Sequence, residues 1–298
     1  MSRGWPVDMP SDSDQTSSLR SMIPMLTSVI LFSINTLMIR SVSLRFPAAD
    51  GWVASLFRGM VGLVVVFMLH GRGRGLQVNR MFANQLVVLR GLVGGFTIII
   101  FYVTIEKLGA ARAVILNLTY PVFASVIAAL WLKEKLSRAA MIWMLVGFCG
   151  LVIFLSGNGH LSHSPGYDLL AVAGAVAAGW VVVIIRRLRN EEHPATIYAS
   201  QALFSLLIAS GAGVKLPQLA MGAWVGLGVA AVVVAVAQLE MTRAYQNLSV
   251  VKGSSIQMLL PVVTGIGGYF ILGETFHPLE ILGAIIALVA TWRVVVTR

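Results

Sequence analysis

The chain has 298 residues, 57% of them hydrophobic and only 11% charged. Soluble domains carry about 25% charged residues, so there is too little polar surface here to cover a water-soluble core. A net charge of +10 can point to nucleic acid, but in so apolar a chain it first reports where the positive residues lie relative to a membrane.

The first 21 residues form a polar leader containing "DMPSDSDQTSS", with no basic n-region and no A-x-A cleavage site, so no cleaved signal peptide is expected. Ten apolar runs follow, at 23–39, 52–69, 86–105, 113–132, 139–155, 169–185, 195–214, 220–242, 254–272 and 279–296. Each is near the roughly 20 residues that a helix needs to cross about 30 Å of hydrocarbon. The connections are short and leave no room for a large soluble domain. The expected fold is an all-α polytopic membrane protein with ten transmembrane helices.

Polar residues inside these runs are the candidates for a solute pathway. The first run holds Asn35. The second holds Arg58 about eight residues from its start, roughly 12 Å deep. A guanidinium at that depth costs several kcal/mol unless it is paired or hydrated. The third run holds Arg90 and Tyr102, with glycines at 91, 94 and 95 that permit close helix approach. Arg90 can also snorkel if its helix starts late. The fourth run holds Asn117, Tyr120 and Pro121 and ends at Lys133-Glu134-Lys135. The fifth holds the sole cysteine, Cys149, so no intramolecular disulfide is possible and a small packing role is expected. Trp180, Gln201 and Gln238 lie in the sixth, seventh and eighth runs. The eighth also has Glu240, read as the one acid inside a run, with Arg243 one turn on as its neutralising partner. The ninth holds Gln257 and Pro261, glycines at 265, 267 and 268, and ends before Glu274. Each lone amide or phenol serves equally well as an interhelical hydrogen bond or a ligand contact.

With the N-terminus placed inside, 15 Lys and Arg fall on the inner side, 5 on the outer side, and Arg58 and Arg90 within spans. This threefold bias predicts that both termini are cytoplasmic.

"LNLTYPVFASVIAALWLKEKLS" at 116–137 and "IQMLLPVVTGIGGYFILGETFH" at 256–277 align without a gap at an offset of 140. Pro121 matches Pro261, Asn117 matches Gln257 and Glu134 matches Glu274; each proline stands 13 residues before its glutamate. Five spans per half is an odd number, so the second half enters the membrane from the opposite side. The expected organisation is a leader at 1–21, a five-helix repeat at 22–157 and a second, inverted five-helix repeat at 165–298. Inverted repeats with interrupted helices are chiefly a device of secondary transporters. Each proline removes a donor and frees the carbonyl four residues earlier, at Asn117 and at Gln257. A freed carbonyl must face protein or a water-filled cavity. Pro121, Pro261, Glu134 and Glu274 are therefore read as structural or gating positions.

"FYVTIEKLGAARAVILNLTYPVFASVIAALWLKEKLS" and "RAYQNLSVVKGSSIQMLLPVVTGIGGYFILGETF" resemble the paired EamA-type modules of the drug/metabolite transporter superfamily. The shared pattern is an aromatic residue, a small-residue turn, an apolar helix with a central proline and a closing glutamate. The resemblance spans roughly residues 22 to 298, and in length and helix number the bacterial aromatic-amino-acid exporters look closest. It implies a central cavity between two inverted halves and export of amino acids or related small metabolites. The second module departs from the first in lacking a basic flank around Glu274, as suits an outer location.

No G-x-x-x-x-G-K-[ST] or H-E-x-x-H occurs, so neither ATP drive nor a zinc-protease site is expected of this chain. The histidines at 70, 160, 163, 193 and 277 sit at loops or helix ends, and no metal or cofactor is expected. The partners expected are a small-molecule substrate and the lipid bilayer, with no nucleic acid, in a monomer or homodimer. The rival readings are an intramembrane enzyme and a structural membrane subunit. The sequence thus predicts a non-enzymatic secondary exporter. Its solute site draws on Asn35, Arg58, Arg90, Tyr102, Asn117, Tyr120, Trp180, Gln201, Gln238 and Gln257.

Overall fold

The computed structural model describes residues 12–71, 73, 75–108, 116–134, 137–156, 164–272 and 277–296. The first half of the chain supplies α1 (Asp12–Arg45), α2 (Gly51–His70), the short α3 (Val78–Ala83), α4 (Gln85–Leu108), α5 (Tyr120–Trp131) and α6 (Arg138–Ser156). The second supplies α7 (Pro165–Arg187), α8 (Pro194–Ile208), α9 (Met221–Asn247), α10 (Val250–Gln257), α11 (Leu260–Leu272) and α12 (Pro278–Val296). There is no strand among the described residues.

This is a polytopic α-helical membrane protein. By length and composition six stretches can cross a bilayer: Met22–Arg45, Gly51–His70, Pro165–Asn190, Met221–Asn247, Val250–Ile271 and Pro278–Val296. A further pair, Pro194–Ile208 with the 3-10 helix Ser210–Gln218, bends by 68°. Three shorter apolar helices lie at Gln85–Phe101, Tyr120–Leu132 and Arg138–Phe154. The outer surface carries large apolar side chains such as Phe67, Met68, Leu130, Leu169, Val225, Phe270 and Trp292. Such a surface suits hydrocarbon and not water.

Three expectations need correction here. The run at 195–214 is not one straight helix: the α-helix stops at Ile208, and the Gly211, Gly213 and Pro217 that follow favour a bent 3-10 segment. Nor do Pro121 and Pro261 sit at kinks inside continuous helices. Each occupies the second position of a new helix, α5 or α11, where a missing N–H costs nothing. The chain turns just before, at Leu118–Thr119 and at Met258–Leu259. Among the described residues no backbone donor reaches the carbonyl of Asn117 or of Gln257. Cys149 is exposed on α6 and is not a packing residue.

Most packing runs between the first and second halves of the chain. α1 lies on α9, α10 and α11; α2 on α8 and α9; α4 on α7 and α8; α5 on α7 and α10; α6 on α12. Exchanging α1 with α7, α2 with α8, α4 with α9, α5 with α10–α11 and α6 with α12 maps this set of neighbours onto itself. The α6–α12 contact is close enough to require glycine on both sides. A Cβ at Gly283 would stand 2.5 Å from the backbone nitrogen of Phe154, and one at Gly150 would stand 2.8 Å from that of Ala287.

Candidate functional site

The glycines of α2 and α4 set how closely these two helices approach α8. A Cβ at Gly91 would meet the Ser200 side chain and lie 2.9 Å from the Ser200 carbonyl oxygen, so the α4 backbone rests directly on α8, and Ser200 Oγ donates to the Val87 carbonyl across this seam at 2.8 Å. One turn on, Gly94 leaves the space that the Arg90 guanidinium fills: a Cβ there would sit 2.2 Å from Arg90 Nη1. Gly62 of α2 similarly makes room for the hydroxyl of Tyr198, which a Cβ would approach to 2.5 Å.

Into this space the structure brings four of the expected residues. Arg90 is 0% exposed, and its Nη2 donates to Gln201 Oε1 at 2.8 Å. Arg58 is half-buried, and its Nη2 donates to Gln238 Oε1 at 3.0 Å. The helix exchange that maps the packing onto itself also exchanges these bonds, α2 to α9 for α8 to α4. Both arginines come from the first half of the chain and both amides from the second. The two guanidiniums are near enough to repel each other, and each also acts on Tyr198. Among the described residues neither has a carboxylate partner.

The cluster holds more donors than it uses. Arg90 Nε and Nη1 and Gln238 Nε2 are buried without an acceptor, and so are the hydroxyls of Tyr198 and Ser205. Tyr198 and Ser205 were not among the expected residues. With Gln201 they stand at i, i+3 and i+7 on α8, a polar stripe along an apolar helix that the sequence does display. A buried cation with free donors and no counter-charge costs several kcal/mol, which an anion would recover.

The other expected residues lie elsewhere or are differently engaged. Gln257 ends α10 and donates to Ser28 Oγ at 2.9 Å, which ties the helix break to α1. Tyr120 packs in the same apolar cluster as Tyr245. Asn117 and Asn35 are half-buried, and Trp180 is 42% exposed on α7. The side chain of Tyr102 and the whole of Glu274 lie outside the described residues. Glu240 pairs with Arg243 at 2.6 Å, and Arg243 also meets His70 at 3.2 Å. The reading of Glu240 as the one acid in a span missed Glu280, which is fully buried near the start of α12. One of its oxygens accepts from the His277 N–H at 2.6 Å, while the other has no partner.

Glu134 follows α5. Lys133, at φ 55°, is the only non-glycine residue with positive φ among those described, and it ends the helix in a left-handed cap. Glu134 then reaches the second half. Its Oε1 accepts from Arg186 Nε at 3.0 Å and its Oε2 from the Val250 N–H at 3.1 Å. Arg186 Nη1 in turn donates to the carbonyls of Tyr245 and Gln246, at 3.1 and 2.7 Å. One carboxylate thus joins α5, α7, the end of α9 and the start of α10. At the start of α2, Lys215 pairs with Asp50, which caps that helix.

The EamA-like transporter family matches this sequence twice, over residues 19–156 and 166–296. The pseudopaline exporter CntI of Pseudomonas aeruginosa is 25% identical over 265 residues, covering 87% of this chain and 90% of that protein. The threonine/homoserine exporter RhtA of Escherichia coli is 29% identical over 199 residues, 63% of this chain and 64% of RhtA. A protein of known crystal structure superposes with a TM-score of 0.80 over 93% of this chain and 98% of its own, at 16% identity.

Proposed function

Because the chain belongs to the EamA-like transporter family, we propose that it is a secondary exporter of small organic solutes, amino acids or related metabolites among them. On this reading ten spans form two inverted five-helix repeats at 22–157 and 165–298, and solute crosses a bacterial inner membrane by alternating access. The observation that carries the reading is the exchange symmetry of the packing together with its polar centre. Two halves that touch mainly each other can rock between two related arrangements, and Arg58, Arg90, Gln201 and Gln238 sit where they meet. The similarity to a pseudopaline exporter and a threonine/homoserine exporter supports solute export as the activity class. Asn35, Tyr102, Asn117, Tyr120, Trp180 and Gln257 extend the proposed pathway along the flanking helices. Interrupted helices at Pro121 and Pro261 leave backbone carbonyls at matching places in the two repeats, as transporter sites commonly do. Glu134 joins the two halves at one end, and Glu274 is its counterpart in the sequence repeat. No catalytic residue, cofactor or metal enters this mechanism.

Purified protein in liposomes provides the test. A carrier shows saturable uptake of labelled amino acids and counterflow when the lumen is preloaded with unlabelled solute. Chemical conversion of the solute without transport overturns the reading in favour of an intramembrane enzyme.

A further inference from the structure

We propose that Arg58, Arg90, Tyr198 and Gln238 form an anion site that takes the carboxylate of the transported solute. This inference rests on the carrier reading and names the chemistry its solute must carry. Arg90 is completely buried, two of its three guanidinium nitrogens lack acceptors, and a second guanidinium stands near enough to repel it. The amide of Gln238 offers a further free N–H, and the Tyr198 hydroxyl is free to donate. The two glutamines accept from the arginines through oxygen, which leaves their own N–H groups for something else. An ionised carboxylate has four lone-pair directions and no proton, so it complements such a donor set. An ammonium group does not, since it meets two like charges and no carboxylate among the described residues. Arg58, unlike Arg90, is only half-buried.

A binding arginine and a structural arginine give opposite signs on removal. An unliganded cation held for a ligand is a burden on the empty protein, so Arg90→Met should raise the melting temperature of the solute-free protein by roughly 2–4 °C. A structural arginine would lower it. Thermal shifts are then measured with L-amino acids, with the same compounds as C-terminal amides, and with sodium sulfate at matched ionic strength. The acids should stabilise the wild type, the amides should not, and Arg90→Met and Arg58→Gln should both lose the response to the acids. Should Arg90→Met fail to fold, Arg58→Gln alone carries the comparison. Equal stabilisation by acids and amides, a response to sulfate alone, no response to any acid, or a lower melting temperature for solute-free Arg90→Met each overturns the proposal. Counterflow separates the two readings. A wild type that binds carboxylates but moves none removes the carrier function and leaves the anion site. Transport undiminished by Arg90→Met does the reverse.

Discussion

Glu134 and Arg186, from opposite halves of the chain, are joined at 3.0 Å, and each also holds backbone groups that the other does not reach. The pair is mostly buried, so its hydrogen bonds count for more than those of a surface ion pair. The engagement is unequal: Glu134 holds one backbone N–H, while Arg186 holds two carbonyls at the end of α9. Arg186→Gln should therefore cost more than Glu134→Gln, about 2–4 against about 1–2 kcal/mol by the usual worth of charged hydrogen bonds. Thermal melts of both single variants and the double variant measure it. The double should fall short of the sum, because the pair is counted twice.

The α6–α12 seam predicts a contrast between two glycines. At Gly283 a methyl group meets backbone atoms of Phe154 and Gly150 within 2.6 Å, whereas at Gly228 on α9 it meets nothing within 4 Å. Gly283→Ala should destabilise by about 1–3 kcal/mol through overpacking. Gly228→Ala should be neutral or stabilising by up to about 1 kcal/mol through helix propensity. Equal melting temperatures for the two variants would contradict the seam.

His193 supplies a pH dependence. Its Nδ1 accepts the Ala195 N–H at 3.2 Å as the cap of α8, which requires that nitrogen to be unprotonated. Burial first, and then the charge of Arg243, hold its pKa below the ordinary histidine value. The folded state therefore favours the neutral ring. The stabilisation is complete above pH about 6.5 and is lost as pH falls from there through the lower folded value. Melting temperature should drop on acidification from pH about 8 to about 5. His193→Asn keeps the cap acceptor without the titration and should flatten that profile.

For topology, the Lys and Arg count takes Lys215 as one of the five outer residues and places the C-terminus inside. A reporter active only outside the cytoplasm should be silent after Arg298 and active when inserted after Lys215. The opposite pattern would reverse the sides assigned to the two halves.

The prolines carried much of the legible architecture. Pro121 and Pro261 announced interrupted helices at corresponding places, and the breaks exist, two to three residues before each proline. A missing N–H marks where a helix cannot continue, but a turn can be taken anywhere in the preceding few residues, and packing decides where. The bend after Ile208 was hidden because hydropathy does not distinguish an α-helix from a 3-10 segment of similar composition. At the site, Arg58, Arg90, Gln201 and Gln238 were visible as polar residues in apolar runs. Which arginine meets which amide depends on helix neighbours more than a hundred residues apart, and no single sequence encodes that legibly. Tyr198 was passed over because a tyrosine in an apolar helix looks like packing until its hydroxyl is seen without a partner. Glu280 was passed over because it stands at the edge of its run, where an acid looks solvated.

The division of arginines and amides between the two halves has a consequence for how the protein is made. Gln201 lies 111 residues after Arg90, and Gln238 lies 180 residues after Arg58. At about 5–20 residues per second, roughly 5–40 s pass between the synthesis of each arginine and that of its amide. During that interval the helices of the first half lack both the partners of their guanidiniums and most of the surfaces they pack on. The nascent N-terminal half is thus an unfinished client of the insertion machinery, and it settles only when its counterpart has been translated.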